Sequence, residues 1–314
     1  MGHAHGPGHG HAHGPGAGTA TGRHRRRLVV VLCVTLAVMV LELVGALLAG
    51  SVALLADAGH MLTDASGVAV ALWASWLATR PTTAVRTFGW QRAEILAALA
   101  NGLVLGVVAV VVLVEGVRRT LDPTGEVRPG LMIAVALVGL LANGVNLRLL
   151  HAGQAESLNV RGAYLEVLGD LLGSAAVVVA GVVIATTGFE RADGIASVLI
   201  GVMIAPRAWS LLRDVVAVLL EQTPPGVDLD EVRRHMTGVP GVVGVHDLHA
   251  WTITSGVPVL SAHVEVEPER LARGEGTEVL RALRTCLAGH FDVEHSTFQV
   301  EPPDMRGDEP AAHA

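Results

Sequence analysis

Apolar residues run along this chain in long blocks separated by short polar stretches, with few charges inside each block. The blocks fall near residues 28–50, 56–79, 93–116, 130–150, 163–187 and 192–210. As helices, each can cross about 30 Å of hydrocarbon at about 1.5 Å per residue. The first block is too long for the apolar core of a signal peptide, and further spans follow it, so it is expected to remain as a span. After residue 210 the pattern shortens. DLDEVRRHMTGVPG predicts a helix stopped by Gly and Pro. GVVGVHDLHAWTIT, VPVLSAHVEVEP and VEHSTFQVEP alternate as strands, and TEVLRALRTCLAGHF has a helical period. The expected fold is an α-helical membrane protein. Six transmembrane helices occupy 28–210, and an α+β domain over 211–303 runs helix, strand, strand, helix, strand. A His-rich leader over 1–27 precedes them and a loose tail over 304–314 follows.

Composition sharpens this picture. Only 16% of the 314 residues are charged and 51% are hydrophobic. A soluble domain carries about 25% charged residues, so one water-soluble core and general disorder are both excluded. The formal net charge is -7 and all 22 basic residues are Arg. No concentrated basic face is expected, which argues against a nucleic-acid partner. Cys33 and Cys286 form no CxxC pair, so neither a disulfide scaffold nor a thiolate metal site is expected.

Arginine placement orients the spans. With both termini inside, the inner side holds Arg23, Arg25, Arg26, Arg27, Arg80, Arg86, Arg92, Arg148, Arg161, Arg207 and Arg213. The outer side holds Arg118, Arg119, Arg128 and Arg191. Eleven against four places both termini in the cytoplasm.

Ionisable residues inside apolar helices are costly and point to function. His60 and Asp64 in the second span are four residues apart, as are Glu166 and Asp170 in the fifth. That spacing puts each pair on one helix face. Two facing helices would then supply one imidazole and three carboxylates, a donor set for a divalent cation. Three carboxylates against a doubly charged metal leave the filled site at -1, which favours a retained proton. Asp57 is read as a cap of the second helix or an attractor of cations at its mouth. Glu42, mid-span in the first helix, is placed along the path. Asn101, Asn143 and Asn146 are read chiefly as bonding across helices. In the leader, His3, His5, His9, His11 and His13 form a low-affinity capture arm for metal. In the C-terminal domain His246 and His249 flank a strand start, His263 lies mid-strand, and His295 and Glu301 bracket the last strand. A second metal site is expected among them.

The stretches SVALLADAGHMLTDASGVAVAL, FGWQRAEILAALANG, GAYLEVLGDLLGS, ADGIASVLIG, VHDLHAWTITSG and HSTFQVE together carry a resemblance. Over roughly 28–302 the chain resembles the cation diffusion facilitators, in particular the zinc exporters of bacteria and their eukaryotic relatives. The resemblance implies a homodimer in the cytoplasmic membrane, with six helices per subunit and a cytoplasmic ferredoxin-like domain. It implies a transporter rather than an enzyme, one that expels Zn²⁺ in exchange for protons. It carries the transport site onto His60, Asp64, Glu166 and Asp170. The cytoplasmic sites fall on His246, His263 and Glu301, with His295 beside them; His249 is read as accessory from its place at the strand start, not from the resemblance. It makes WTITSG the turn between the first two strands. Zinc exporters usually carry His where this chain has Glu166. A carboxylate is the harder ligand, so Co²⁺, Cd²⁺ or Mn²⁺ is the alternative main cargo. A membrane-anchored metal sensor or scaffold is the alternative of another class.

Overall fold

The computed structural model describes residues 20–123, 126–151, 158–254, 257–288 and 295–305. The capture arm His3, His5, His9, His11 and His13 lies outside the described residues, as do the last two residues of WTITSG and most of the tail.

Six long helices come first: α1 (Ala20–Ala49), α2 (Val52–Ala78), α3 (Ala93–Leu121), α4 (Pro129–His151), α5 (Leu158–Thr187) and α6 (Arg191–Leu219). Most begin and end near the expected blocks, but α1 starts eight residues before the expected 28 and α6 runs nine residues past the expected end at 210. Of the six apolar spans expected, five are found among the described residues. Among the described residues, α1, α3, α4, α5 and α6 contain stretches long and apolar enough to cross a membrane. The remaining helix, α2, carries Asp57, His60 and Asp64, which interrupt its apolar run.

The chain divides into two compact units, Met1–Ser66 with Val104–Ala208, and Gly67–Leu103 with Trp209–Ala314. In the first unit α1 packs on α4, and α4 on α5. Small side chains at Ala46, Ala53, Ala109, Ala136, Ala180 and Ala196 form much of its core and let backbones approach closely. Large apolar side chains face outward instead, among them Val107, Val110, Val111 and Val114 on α3. Polar ones turn inward: Glu42, Asn143, Asn146, Ser174 and Asp193 have no exposed surface. This inversion suits hydrocarbon as the surrounding solvent.

The start of α2 is held from another helix. Asp193, in the first turn of α6, accepts hydrogen bonds from Val52 N at 2.9 Å, Ala53 N at 3.2 Å and Ser51 Oγ at 2.5 Å. Ser51 Oγ in turn accepts from Leu54 N at 3.1 Å. These bonds satisfy amides that a helix start leaves without partners. Arg119 Nη1 donates to Gly50 O at 2.6 Å and lies 3.4 Å from Asp193. The expected cap, Asp57, sits inside α2 rather than at its start. The capping is done by Ser51 and Asp193.

In the second unit Arg92 pairs with Glu221 at 2.9 Å, and Thr254 Oγ1 donates to Glu94 at 2.6 Å. The C-terminal domain continues with α7 (Leu229–Thr237), β1 (Val242–Thr252), β2 (Pro258–Val266), α8 (Pro268–Ala272), α9 (Gly276–Ala288) and β3 (His295–Glu301). The short α8 is an addition to the expected order. Asp228 caps α7 by accepting from Asp230 N and Glu231 N. On α9, Val279, Leu283 and Leu287 recur every four residues and bury one face. They pack with Met236, Leu260, Ala262, Val264 and Val266. The sheet order is β1-β2-β3, with β1 antiparallel and β3 parallel to β2.

Candidate metal centres

The first centre lies between α2 and α5. On α2, His60 Nε2 is 3.6 Å from Asp64 Oδ2, one turn onward. From α5, Asp170 Oδ1 approaches the same nitrogen at 3.9 Å. One donor atom from each of the three lies within 4.8 Å of the others, close enough to hold one ion. His60 and Asp170 are buried, and Asp170 Oδ1 has no hydrogen-bond partner among the described residues. Thr63 Oγ1 donates back to His60 O at 2.7 Å. A cavity of about 80 Å³, lined in part by Asp57, His60, Gly169 and Arg207, opens here.

Glu166 stands apart from this trio. It sits one turn before Asp170 on α5, but it is exposed and outside the three-residue group. Arg207, counted from sequence as an inner-side charge, is instead part of the centre. Its Nη1 is 3.1 Å from His60 Nε2 and 3.7 Å from Asp64 Oδ2. A guanidinium can only donate, so in this contact His60 Nε2 is the acceptor.

Glu42 and Asp57 form a deeper pair. Neither oxygen of Glu42 has a hydrogen-bond partner among the described residues. Asp57 Oδ2 accepts from Ser174 Oγ at 3.1 Å. Two glycines make room for them. A Cβ at Gly139 would collide with Glu42 Oε1, and one at Gly173 would lie 2.5 Å from Asp57 Oδ1. Gly173 on α5 and Gly139 on α4 therefore leave space for buried carboxylates. Asn146 bonds across helices as expected, donating to Thr35 Oγ1 at 3.3 Å.

The second centre is built by strand register. His246 on β1 pairs with His263 on β2, and Glu265 on β2 pairs with Glu301 on β3. His246 Nε2 is 2.9 Å from Glu301 Oε1, and His263 Nδ1 is 3.5 Å from Glu301 Oε2. Gln299 Nε2 donates to Glu301 Oε2 at 2.8 Å and steadies it. Glu265, absent from the sequence expectations, comes within 3.7 Å of His246. A Cβ at Gly244 would meet Glu265 Oε2 at 2.5 Å, so that glycine leaves room for the carboxylate. The alternation of His263 and Glu265 with the apolar positions of β2 was the available signal for it. Two imidazoles and a buried carboxylate with mutually close donor atoms fit a divalent metal of the zinc type.

Two expected members are not brought into this group. A register shift between His246 and His249, with Asp247 at φ 49°, breaks the alternation of β1. His249 then points outward and pairs with Asp247 at 3.2 Å. His295 opens β3 opposite Val259. It lies four residues before Gln299, the partner of His263, or about 13 Å along the strand. Glu301→Ala is expected to lower metal affinity at this centre by about 10- to 100-fold, because it removes the group that reaches both imidazoles. Isothermal titration of the full-length protein checks this, and His295→Ala in the same titration is expected to change little.

Residues 28–220 match the cation efflux transmembrane domain, and residues 224–303 match the cytoplasmic domain of cation efflux proteins. The chain belongs to the cation efflux family. It is a multi-pass membrane protein that carries divalent cations across the bilayer and is not an enzyme. It is 44% identical over 280 residues to the metal cation efflux system protein CzcD of Cupriavidus metallidurans, covering 88% of this chain and 86% of that protein. It is 41% identical over 284 residues to the zinc transporter ZitB of Escherichia coli, covering 90% and 89%. It is 35% identical over 265 residues to a cadmium, cobalt and zinc/H(+)-K(+) antiporter of Bacillus subtilis, covering 84% of each. Both centres lie within the matched residues, and the family match supports self-association.

Proposed function

We propose that this protein exports Zn²⁺ from the cytoplasm in exchange for protons, with His60, Asp64 and Asp170 as the transport seat and Glu166 at its edge. The observation that carries this reading is the meeting of one buried imidazole with carboxylates from two helices around a small cavity. Zn²⁺ accepts a mixed nitrogen and oxygen set. Ligands must shed protons to bind metal, so loading releases protons and reprotonation from outside releases the cation. The relative in E. coli is named for zinc, which agrees with this cargo. The proposed arrangement is a homodimer in the cytoplasmic membrane, with six spans per subunit, α2 included, and both termini cytoplasmic. Metal at His246, His263 and Glu301 would report cytoplasmic load.

A second cargo reading has its own support. Glu166 is a hard oxygen donor beside the seat, and the B. subtilis relative is named for cadmium and cobalt as well as zinc. Uptake of Zn²⁺, Co²⁺, Cd²⁺ and Mn²⁺ into everted vesicles under an imposed pH gradient tests both. Zn²⁺ is expected to be taken up fastest, and only with the gradient. A shift in preference on Glu166→His would assign selectivity to that position. Gradient-independent uptake would rule out proton exchange.

A further inference from the structure

Arg207 is a fixed positive charge inside the seat that this function must accommodate. It belongs to neither ligand pair, and it comes from a third helix, α6. Its Nη1 stands 3.1 Å from His60 Nε2, a nitrogen that a metal at the seat would need. The same atom is 3.7 Å from Asp64 Oδ2. Gly169 on α5 keeps clear of it, since even a Cβ there would stop 3.8 Å from Nη2. The guanidinium thus holds two of the contacts a divalent cation would take.

Charge supports the same conclusion. Asp64 and Asp170 bring -2 to the seat when ionised, which a doubly charged metal already offsets, so the permanent charge of Arg207 beside a loaded seat is an excess positive charge that opposes the metal. Mobility is also provided for. Pro206 lies inside α6 immediately before Arg207. A proline removes an amide from the helix ladder and crowds the carbonyl four residues earlier, which loosens the helix there. The Arg207 side chain is 37% exposed, so it has somewhere to go.

We propose that Arg207 is a tethered counter-cation. In the empty seat it occupies the metal's place on His60 and offsets the carboxylates; on loading it steps off the imidazole but stays close enough for its charge to oppose the metal. It therefore weakens metal binding and speeds release. The proposal rests on the assignment of the seat to His60, Asp64 and Asp170.

The test uses full-length protein carrying His246→Ala and His263→Ala, so that cytoplasmic metal does not contribute. Zn²⁺ is titrated in detergent, and transport is measured in proteoliposomes as KM and maximal rate. Arg207→Gln is expected to bind Zn²⁺ at least about tenfold more tightly, with KM and maximal rate falling together. Arg207→Met, which suits an apolar helix, must change in the same sense and serves where the Gln variant does not fold. Arg207→Lys keeps the charge on a shorter reach and is expected to fall between. Unchanged or weaker binding in the neutral variants overturns the proposal, and so does tighter binding with an undiminished maximal rate. Asp170→Asn in the same titration reports on the seat separately. If it binds as the parent does, the seat is wrongly assigned whatever Arg207 does.

Discussion

Replacing Asp170 with Asn is expected to abolish metal transport in proteoliposomes and to weaken Zn²⁺ binding in the membrane unit by at least about 100-fold. Asn keeps the shape of the side chain and removes its charge, so the effect reads the donor rather than the packing. Asp170 is 4% exposed, and its Oδ1 faces His60 Nε2 at 3.9 Å with no hydrogen-bond partner among the described residues. A buried carboxylate without such a partner is expensive unless it serves a cation. Asp64→Asn is expected to do the same, since its Oδ2 is 3.6 Å from the same nitrogen. Glu166→Gln should cost much less, because Glu166 is exposed and outside the trio. An unchanged thermal transition would show that Asp170→Asn remains folded. Full-rate transport by that folded variant would falsify the seat.

Asp193→Ala is the largest expected loss of stability. One carboxylate accepts from Ser51, Val52 and Ala53 and faces Arg119, all at the start of α2. Breaking a buried charged network by removing one partner costs about 3–5 kcal/mol. Here the charge left behind is Arg119, and the amides left behind are those of the helix that carries His60 and Asp64. Asp193→Asn keeps the shape and one acceptor, so an intermediate loss is expected. Thermal unfolding in detergent, followed by a fluorescent thiol or tryptophan signal, orders the three proteins. An alanine variant as stable as the parent would remove Asp193 from this role. Lost transport in that variant should follow lost fold, whereas Asp170→Asn loses transport with the fold intact.

Much of this was legible in the order of residues. The six long helices follow the apolar blocks, and the C-terminal strands and helices follow their alternation and period. His60 and Asp64 are legible as a pair because four residues are about one helical turn. The resemblance placed Asp170 beside them. Glu166 satisfied the same spacing but remained exposed, since spacing selects a face of one helix and says nothing of how that face is turned. His249 satisfied the strand pattern until a register shift at Asp247 redirected it. His295 bracketed the right strand at the wrong height, because a parallel register places Gln299 and Glu301, not His295, beside His263 and Glu265.

Arg207 shows how charge counting goes astray. It was counted with the loop charges that orient the spans, yet it sits within α6 and faces a metal centre. Arg119, which opposed the orientation, is held by Asp193 and the Gly50 carbonyl. A charge committed to a partner inside the helices is weak evidence about which side of a membrane a loop occupies.

The membrane character, the order of elements and the i,i+4 pair on α2 follow from the chain read in one dimension. They depend on apolar runs and on the repeat of a single helix, which neighbouring residues set. The roles of Arg207, Asp193, Glu265 and the glycines beside Glu42 and Asp57 depend on partners far away in the chain. His60 meets Arg207 across 147 residues, and Ser51 meets Asp193 across 142. Such contacts arise from how helices and strands pack, where a missing Cβ or a shifted register decides which polar atoms can share the low-dielectric interior.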